Sequence, residues 1–268
     1  MQTWDDGAPD GLATDRPNVA RMYDYYLGGS HNYPADREMA QRVIATYPAL
    51  PEVARLNRAF LGRVVRFLSD AGIRQFVDLG SGLPTVGNVH QIVQSIDPGA
   101  RVVYVDHDEM AVLYSRVMLV GNPGAAVVQG DITEIRQVFR HRDLRCLIDF
   151  KEPVAVLLFG LLHFVSDGIG PMAIIDEILQ TVASGSYLAL SHASRDGLAD
   201  EADRIAGLYA RSGSPMAFRS HAEIAAFFAD FPLVEPGLVP MEIWRPDEAE
   251  SAIAPPVYSG YGGVGQKP

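Results

Sequence analysis

The chain has 268 residues, 48% of them hydrophobic and 21% charged, and carries a formal net charge of −11. That is apolar material for one sizeable core, and a charge balance opposite to the basic face of a nucleic-acid-binding protein. The longest apolar run, PVAVLLFGLLHFV at 153–165, falls far short of the roughly 20 residues a helix needs to cross a bilayer, and the lone Cys146 forms no internal disulfide, in keeping with a reducing cytoplasm.

The opening MQTWDDGAPDGLATD is acidic and holds no basic stretch followed by an apolar one, so no secretory signal is expected and the expected compartment is the cytoplasm. Residues 1–16 are polar and turn-rich and are predicted to form a mobile tail. Pro17 and Asn18 then open a helical pattern in which Val19, Met22, Tyr23 and Tyr26 share a face, closed by Gly28-Gly29. Pro34 starts a second helix reaching Tyr47. A third runs from Glu52 to Ala71, with Val53, Leu56, Phe60, Val64, Phe67 and Leu68 at helical spacing.

After Gly72 short apolar runs alternate with helical stretches. The runs are QFVDLG (75–80), ARVVYVD (100–106), AAVVQGD (125–131), PVAVLLFG (153–160) and GSYLALSHAS (185–194), and the helical stretches lie near 86–96, 108–119, 133–140 and 171–183. Runs that are apolar throughout predict strands buried on both faces, as in a parallel sheet covered by helices. Helices near 200–211 and 221–229, a strand near 238–244 and the Gly-rich end YSGYGGVGQK follow, the last two pairing antiparallel at a sheet edge. The reading is a single α/β domain over 17–268, with an N-terminal helical cap at 17–72 and a Rossmann-like core at 73–268. The one basic cluster, RQVFRHRDLR at 136–145, is predicted to be the solvated face of a short helix; contact with an acidic substrate is its alternative.

The chemistry concentrates at strand ends. The first strand runs into DLGSGLPT, where Gly80 and Gly82, flanking Ser81, let the backbone turn tightly and a ligand approach closely. Thr85 is the expected cap of the next helix, with Val86, Val89, Ile92 and Ile96 facing the core. A dinucleotide fingerprint needs a third glycine where Thr85 stands. The second strand ends at Asp106, followed by His107. A carboxylate there accepts hydrogen bonds from ribose hydroxyls in adenosine-containing cofactors, or else it caps the next helix, a role Asp108 also suits. Asp131 ends the third strand with Ile132 beside it, placed either to meet an adenine amino group and ring or to cap a helix. Phe159 closes the fourth strand.

Charge selects among ligands. A pyrophosphate wants a helix N-terminus free of nearby acid, whereas the sulfonium and ammonium of S-adenosylmethionine suit carboxylates and aromatic faces. Asp78, just ahead of the glycines, favours the second. Beyond the fourth strand, His163 and Asp167 fall where an acceptor would sit, and His163 is the candidate general base, with a structural histidine as its alternative. His107, His163 and His192 lie near strand ends without the spacing of a zinc site, and Cys146 has no activating context.

The segments RPNVARMYDYYLGGSHNYPADRE (16–38), NRAFLGRVVRFLSDAGIRQFVDLGSGLPT (57–85), NVHQI (88–92), RVVYVDHD (101–108), LLHF (161–164), GSYLALSH (185–192) and YGGVGQK (261–267) carry a resemblance across nearly the whole chain. The sequence resembles the actinobacterial S-adenosyl methyltransferase family, long known only as a domain of unknown function. The resemblance implies a class I methyltransferase fold, with a mostly parallel seven-stranded sheet whose last strand is antiparallel. It implies S-adenosylmethionine binding along DLGSGLPT and at Asp106 and Asp131. Two departures from the family pattern, Ser30-His31 in place of a Lys-Asp pair and Gln266 in place of an arginine, are expected to bear on the acceptor side.

The candidate cofactor set is therefore Asp78, Gly80, Ser81, Gly82, Asp106, His107, Asp131, Ile132 and Phe159. Arg21, Tyr23 and Tyr26 join it if MYDYYLGG lies over the site as a lid; otherwise these aromatics pack the cap onto the sheet. The expected function is methyl transfer from S-adenosylmethionine to a small molecule, with a non-catalytic S-adenosylmethionine-binding protein and an NAD(P)-dependent oxidoreductase as alternatives.

Overall fold

The computed structural model describes residues 13–84, 87–246 and 260–268. Three helices come first: α1 (Val19–Tyr26), α2 (Pro34–Thr46) and α3 (Leu50–Asp70). The side chain of Asn18 caps α1 by accepting from the backbone N–H groups of Ala20 and Arg21 at 2.9 and 3.2 Å, which satisfies donors the helix cannot. Pro34 opens α2, and Asp36 accepts from the Tyr33 N–H at 2.8 Å. Residues 1–12 of the predicted tail lie outside the described residues.

The remainder alternates as β1 (Gln75–Leu79), α4 (Val89–Ile96), β2 (Arg101–Asp106), α5 (Glu109–Met118), β3 (Ala125–Gln129), α6 (Ile135–Arg140), α7 (Arg142–Leu147), β4 (Ala155–Phe159), α8 (Pro171–Thr181), β5 (Tyr187–His192), α9 (Ala199–Arg211), α10 (His221–Ala225), β6 (Val239–Pro240) and β7 (Tyr261–Gln266). The strands form one seven-stranded sheet in the order 3-2-1-4-5-7-6. β1 to β5 are parallel, β7 runs antiparallel to β5, and β6 runs antiparallel to β7.

Period-two alternation explains why the central strands are apolar throughout. Val77, Leu79, Val103, Val105, Val156 and Leu158 face a core shared with α6, α7, α8 and α10. Phe76, Val102, Tyr104, Ala155 and Leu157 face the opposite core, under α3 and α4. Each fully buried Val, Leu or Phe among them contributes about 1.5–3 kcal/mol. α3 thus covers the sheet, while α9, far along the chain, packs its Ile205 and Tyr209 with Met22, Tyr26, Ala40 and Val43 of α1 and α2. Among the described residues no helix is long and apolar enough to span a bilayer.

Three local expectations need correction. The strand predicted at 238–244 is only Val239–Pro240, followed by a 3-10 turn at Met241–Ile243. Arg63 takes the carbonyls of Met241 and Trp244 at 2.7 and 2.8 Å, and Trp244 lodges beside Phe60 and Phe67, so side-chain capture ends the ladder. The cap of α4 is Asn88, paired with Gln91; Thr85 and Val86 lie outside the described residues. Ile96, expected in the core, is 45% exposed, and Val93 is buried in its stead. The basic cluster spans two short helices, with Arg136 paired to Glu177 at 2.6 Å and Arg145 over the Phe150 ring, which agrees with a surface role.

β7 is specified by its neighbours. A Cβ on Gly262 would stand 2.2 Å from the Phe60 ring, and one on Gly265 would stand within 3 Å of Phe231. Only glycine lets α3 and the 231 turn press this close to the strand.

Candidate active site

The carboxyl ends of β1, β2, β4 and β5 open into a cavity of about 230 Å³, roofed by α1, α3 and α9. After β1 the backbone takes φ +67° at Gly80 and +65° at Gly82. A Cβ on Gly80 would strike Leu161 at 2.5 Å, while one on Gly82 would meet nothing within 4 Å. The turn is therefore tight against the protein at its first glycine and open at its second. The Gly80 and Ser81 N–H groups both donate to the Val105 carbonyl, at 2.8 and 3.1 Å.

Asp106 joins two loops. Its carboxylate accepts from the Gly82 N–H at 2.7 Å and from the Asp108 N–H at 2.9 Å. Two of its roughly four acceptor positions stay open for hydroxyl donors. Burial raises its pKa, opposed by those same N–H groups. Asp108 both caps α5, accepting from the Ala111 N–H at 2.9 Å, and accepts from Asn18 Nδ2 at 2.7 Å, which ties the start of α1 to the end of β2. His107 is exposed, with Nδ1 3.7 Å from Asp106.

Asp78 is different. Its side chain is buried, and its carboxylate accepts no hydrogen bond among the described residues. Burial pushes its pKa up to about 7, the Arg58 guanidinium opposes this, and Asp106 adds to it. Arg58 itself donates to the Gly87 carbonyl at 3.0 Å. Beside Asp78, the Ser81 hydroxyl is buried with no hydrogen-bond partner. Buried polar groups are nearly always satisfied, so this corner is shaped for a polar, cationic guest.

The far end is built from α3, β4, β5 and the roof. Asn57 Nδ2 donates to the Tyr23 hydroxyl at 2.9 Å, and Tyr23 donates to the Ala54 carbonyl at 3.1 Å. Ser191 Oγ donates to Asn57 Oδ1 at 2.6 Å and accepts from the Gly160 N–H at 2.9 Å. The Tyr26 and Tyr209 hydroxyls meet at 3.1 Å, joining α1 to α9. Burial raises the pKa of Tyr23 and Tyr26 and pushes Tyr209 up to about 12. Phe159 lines the cavity with its ring 5.2 Å from that of Phe60.

Two histidines stand beyond β4 and β5, their rings 5.4 Å apart. His192 has both nitrogens engaged: Arg219 donates to Nε2 at 2.7 Å, and Nδ1 donates to the Ala193 carbonyl at 2.7 Å. Burial lowers its pKa to about 4. His163 accepts from the Ala193 N–H at Nδ1, 3.4 Å away. Burial holds its pKa well below 6.5, with His192 and Arg219 adding to the effect.

The structure brings Asp78, Gly80, Ser81, Gly82, Asp106, His107, Phe159, His163, Tyr23 and Tyr26 to this one cavity. It does not bring the others. Arg21 is buried in an ion pair with Asp36 at 2.7 Å and donates to the carbonyls of Arg16 and Ala13, so it fastens α1 to α2 and to the preceding chain. Asp131 is exposed and accepts from the N–H and hydroxyl of Thr133, both at 2.8 Å, capping the 3-10 turn that Ile132 begins. Asp167 pairs with Arg219 at 2.7 Å, its side chain 84% exposed. Neither Ser30-His31 nor Gln266 lines the cavity, and Gln266 pairs with Tyr187 at the opposite edge of the sheet. Sequence reasoning missed Asn57, Arg58, Ser191 and Tyr209 and considered His192 only as a metal ligand. One signal was available: Asn57 interrupts the apolar stripe Val53, Phe60, Val64 of α3 at helical spacing. Among the described residues no cluster of His, Cys, Asp and Glu is placed to hold a metal ion.

A family model described as S-adenosyl methyltransferase matches residues 5–268. A DUF574 family protein from Streptomyces avermitilis, solved as a crystal structure, is 39% identical, covering 95% of this chain and 99% of its own, with a TM-score of 0.91. A crystal structure from Thermobifida fusca is likewise 39% identical, with 99% of both chains covered and a TM-score of 0.91. The fold also matches a plantazolicin methyltransferase in complex with SAH, at 12% identity, 93% and 95% coverage and a TM-score of 0.54. No curated protein matches the chain.

Proposed function

The chain belongs to the S-adenosyl methyltransferase family and is an S-adenosylmethionine-dependent methyltransferase, and we propose that it works in the cytoplasm on a small molecule enclosed with the cofactor in the cavity beneath α1. The observation that carries this placement is the Asp78 corner: a buried carboxylate without a hydrogen bond, next to an unpartnered Ser81 hydroxyl and a glycine open to the cavity. An ammonium group would add hydrogen bonds and positive charge to that of Arg58, and a donor or acceptor on the ligand would satisfy the serine.

When bound, S-adenosylmethionine supplies an electrophilic methyl group on a sulfonium. The protein's own part is positioning. Asp106 accepts from ribose hydroxyls while keeping the two loops joined. Gly80 and Gly82 let the chain lie close to the ligand. Tyr23, Tyr26 and Phe159 wall off water and present aromatic faces to the positive charge. Asn18, through Asp108, holds α1 in place above them.

Calorimetric titration with S-adenosylmethionine, S-adenosylhomocysteine and NAD tests the reading. Binding of the first two and not the third is expected, and Asp106→Ala should weaken both. Binding of NAD alone, or loss of neither ligand in the variant, would overturn the assignment of this cavity.

A further inference from the structure

The cavity changes character at Gly160. One half carries the carboxylates of Asp78, Asp106 and Asp108, with Arg58 among them. The other half carries neutral polar groups, Asn57, His163, Ser191 and His192, set in apolar surface from residues such as Phe164 and Met216.

Hydrogen-bond accounting fixes which way these neutral groups point. Tyr23 has one hydroxyl hydrogen, and the Ala54 carbonyl takes it. Asn57 must therefore donate to Tyr23 through Nδ2 and accept from Ser191 through Oδ1. An amide nitrogen has two hydrogens, so one is left over. Arg219 can only donate, which places the single ring hydrogen of neutral His192 on Nδ1, where the Ala193 carbonyl accepts it. Ala193 then donates its N–H to His163 Nδ1, and the hydrogen of neutral His163 sits on Nε2. A Cβ on Gly160 would stand 3.6 Å from Asn57 Nδ2 and 3.7 Å from His163 Cε1. With glycine there, both side chains flank one open point at the end of β4.

We propose that Asn57 Nδ2–H and His163 Nε2–H together hold a carboxylate oxygen of the acceptor, and that the acceptor is an apolar carboxylic acid methylated as its anion. The inference rests on the methyltransferase reading of this same cavity. Two N–H donors on side chains that flank one opening select a group that only accepts. Nothing in this half is free to take a proton: His192 is engaged at both nitrogens, Ser191 and Tyr23 are committed, and Tyr26 and Tyr209 bond each other. An alcohol or ammonium acceptor needs such a base; a carboxylate does not. Its oxygen forms the new C–O bond as the methyl's C–S bond breaks. The negative charge of the acid and the positive charge of the sulfonium vanish together, leaving a neutral ester and a neutral thioether with no proton transferred. Loss of both charges is favoured where water is scarce. His163 is then a donor to the acceptor and not the general base.

The test titrates 2-naphthoate, 2-naphthamide and 2-naphthylmethylamine into the protein saturated with S-adenosylhomocysteine. The naphthoate should bind about tenfold or more tightly than the amide, as charge-assisted hydrogen bonds imply, and the amine should bind weakest. Asn57→Asp should lose naphthoate by a similar factor and keep S-adenosylhomocysteine. His163→Gln, which keeps an N–H donor but cannot act as a base, should weaken naphthoate severalfold and lower methyl-ester formation by the same factor, where loss of a base would remove 10²–10⁴-fold of turnover with binding kept. The wild-type ranking needs no variant to fold. Equal binding of naphthoate and amide would overturn the proposal, as would turnover abolished in His163→Gln while its naphthoate affinity is kept. Failure of S-adenosylhomocysteine to bind wild type would overturn the cofactor placement instead, and this inference with it.

Discussion

The two halves of the cavity treat buried polarity in opposite ways. Around Gly160, the hydroxyls and the Asn57 amide form a chain running from the Gly160 N–H through Ser191, Asn57 and Tyr23 to the Ala54 carbonyl, with one Asn57 N–H left for a ligand. Around Gly82, Asp78 and the Ser81 hydroxyl have no such partners. A satisfied network is rigid and keeps its geometry whether or not a ligand is present. An unsatisfied corner is paid for in stability until a ligand completes it. In the proposed assignment, the cofactor end thus stores binding energy and the acceptor end stores orientation.

The largest effect should come from breaking the joint between the loops that follow β1 and β2. Asp106→Ala removes the acceptor shared by Gly82 and Asp108 along with the positions left for ribose hydroxyls. S-adenosylhomocysteine affinity should fall on the order of 100-fold by calorimetry, as loss of two charge-assisted bonds predicts. Next comes Asn57→Leu, which strands the Ser191 hydroxyl and removes the Tyr23 donor. Chemical denaturation should show a loss of about 2–3 kcal/mol.

Asp78→Asn sharpens the contrast because its two effects oppose each other. The ordinary carboxyl pKa is 3.8 and the folded value is about 7. Between these values the native state holds a proton that the unfolded chain has released, so stability falls as pH rises through the window and levels off above it. Wild-type melting temperature should drop from about pH 4 to pH 7 by this contribution, and Asp78→Asn should remove that slope. The variant should be the more stable apo protein at pH 8 and yet bind S-adenosylmethionine about tenfold more weakly. Wild-type affinity for the cofactor should rise across neutral pH as Asp78 ionises, and the variant should lose that rise. The smallest effect belongs to Asn18→Ala, which loses the α1 cap and the Asp108 contact. It should cost about 1 kcal/mol by thermal unfolding and weaken S-adenosylhomocysteine only severalfold; unchanged affinity would deny α1 a role as a lid.

What the sequence disclosed follows the same division. The cofactor end is made of consecutive residues, 78–82 and 106–108, whose glycines and acids announce a turn and a charge within a short window. The parallel sheet announced itself too, because strands buried on both faces are apolar throughout. The acceptor end is assembled from α1, α3, β4, β5 and α9, and no local pattern marks residues separated by more than a hundred positions. Asn57 and Tyr209 acquire meaning only once Ser191 and Tyr26 lie beside them. Arg21 misled for a related reason: a cation on a helix near aromatics looks like a ligand contact until its partner, Asp36 of the next helix, is seen. The shortened strand near 239 was hidden because the Arg63 that captures its carbonyls lies 178 positions from Met241.

The glycines of β7 carry a warning for anyone scoring variants in bulk. Gly262 and Gly265 admit no side chain because Phe60 and Phe231 occupy the space, so substitutions there should register as severely as those at Gly80. On an activity map alone, the C-terminal YGGVGQ would look like part of the reaction centre. Scored by cellular abundance alongside turnover, the two groups should part: β7 variants would disappear with the folded protein, while Asp106 variants would persist and fail to bind.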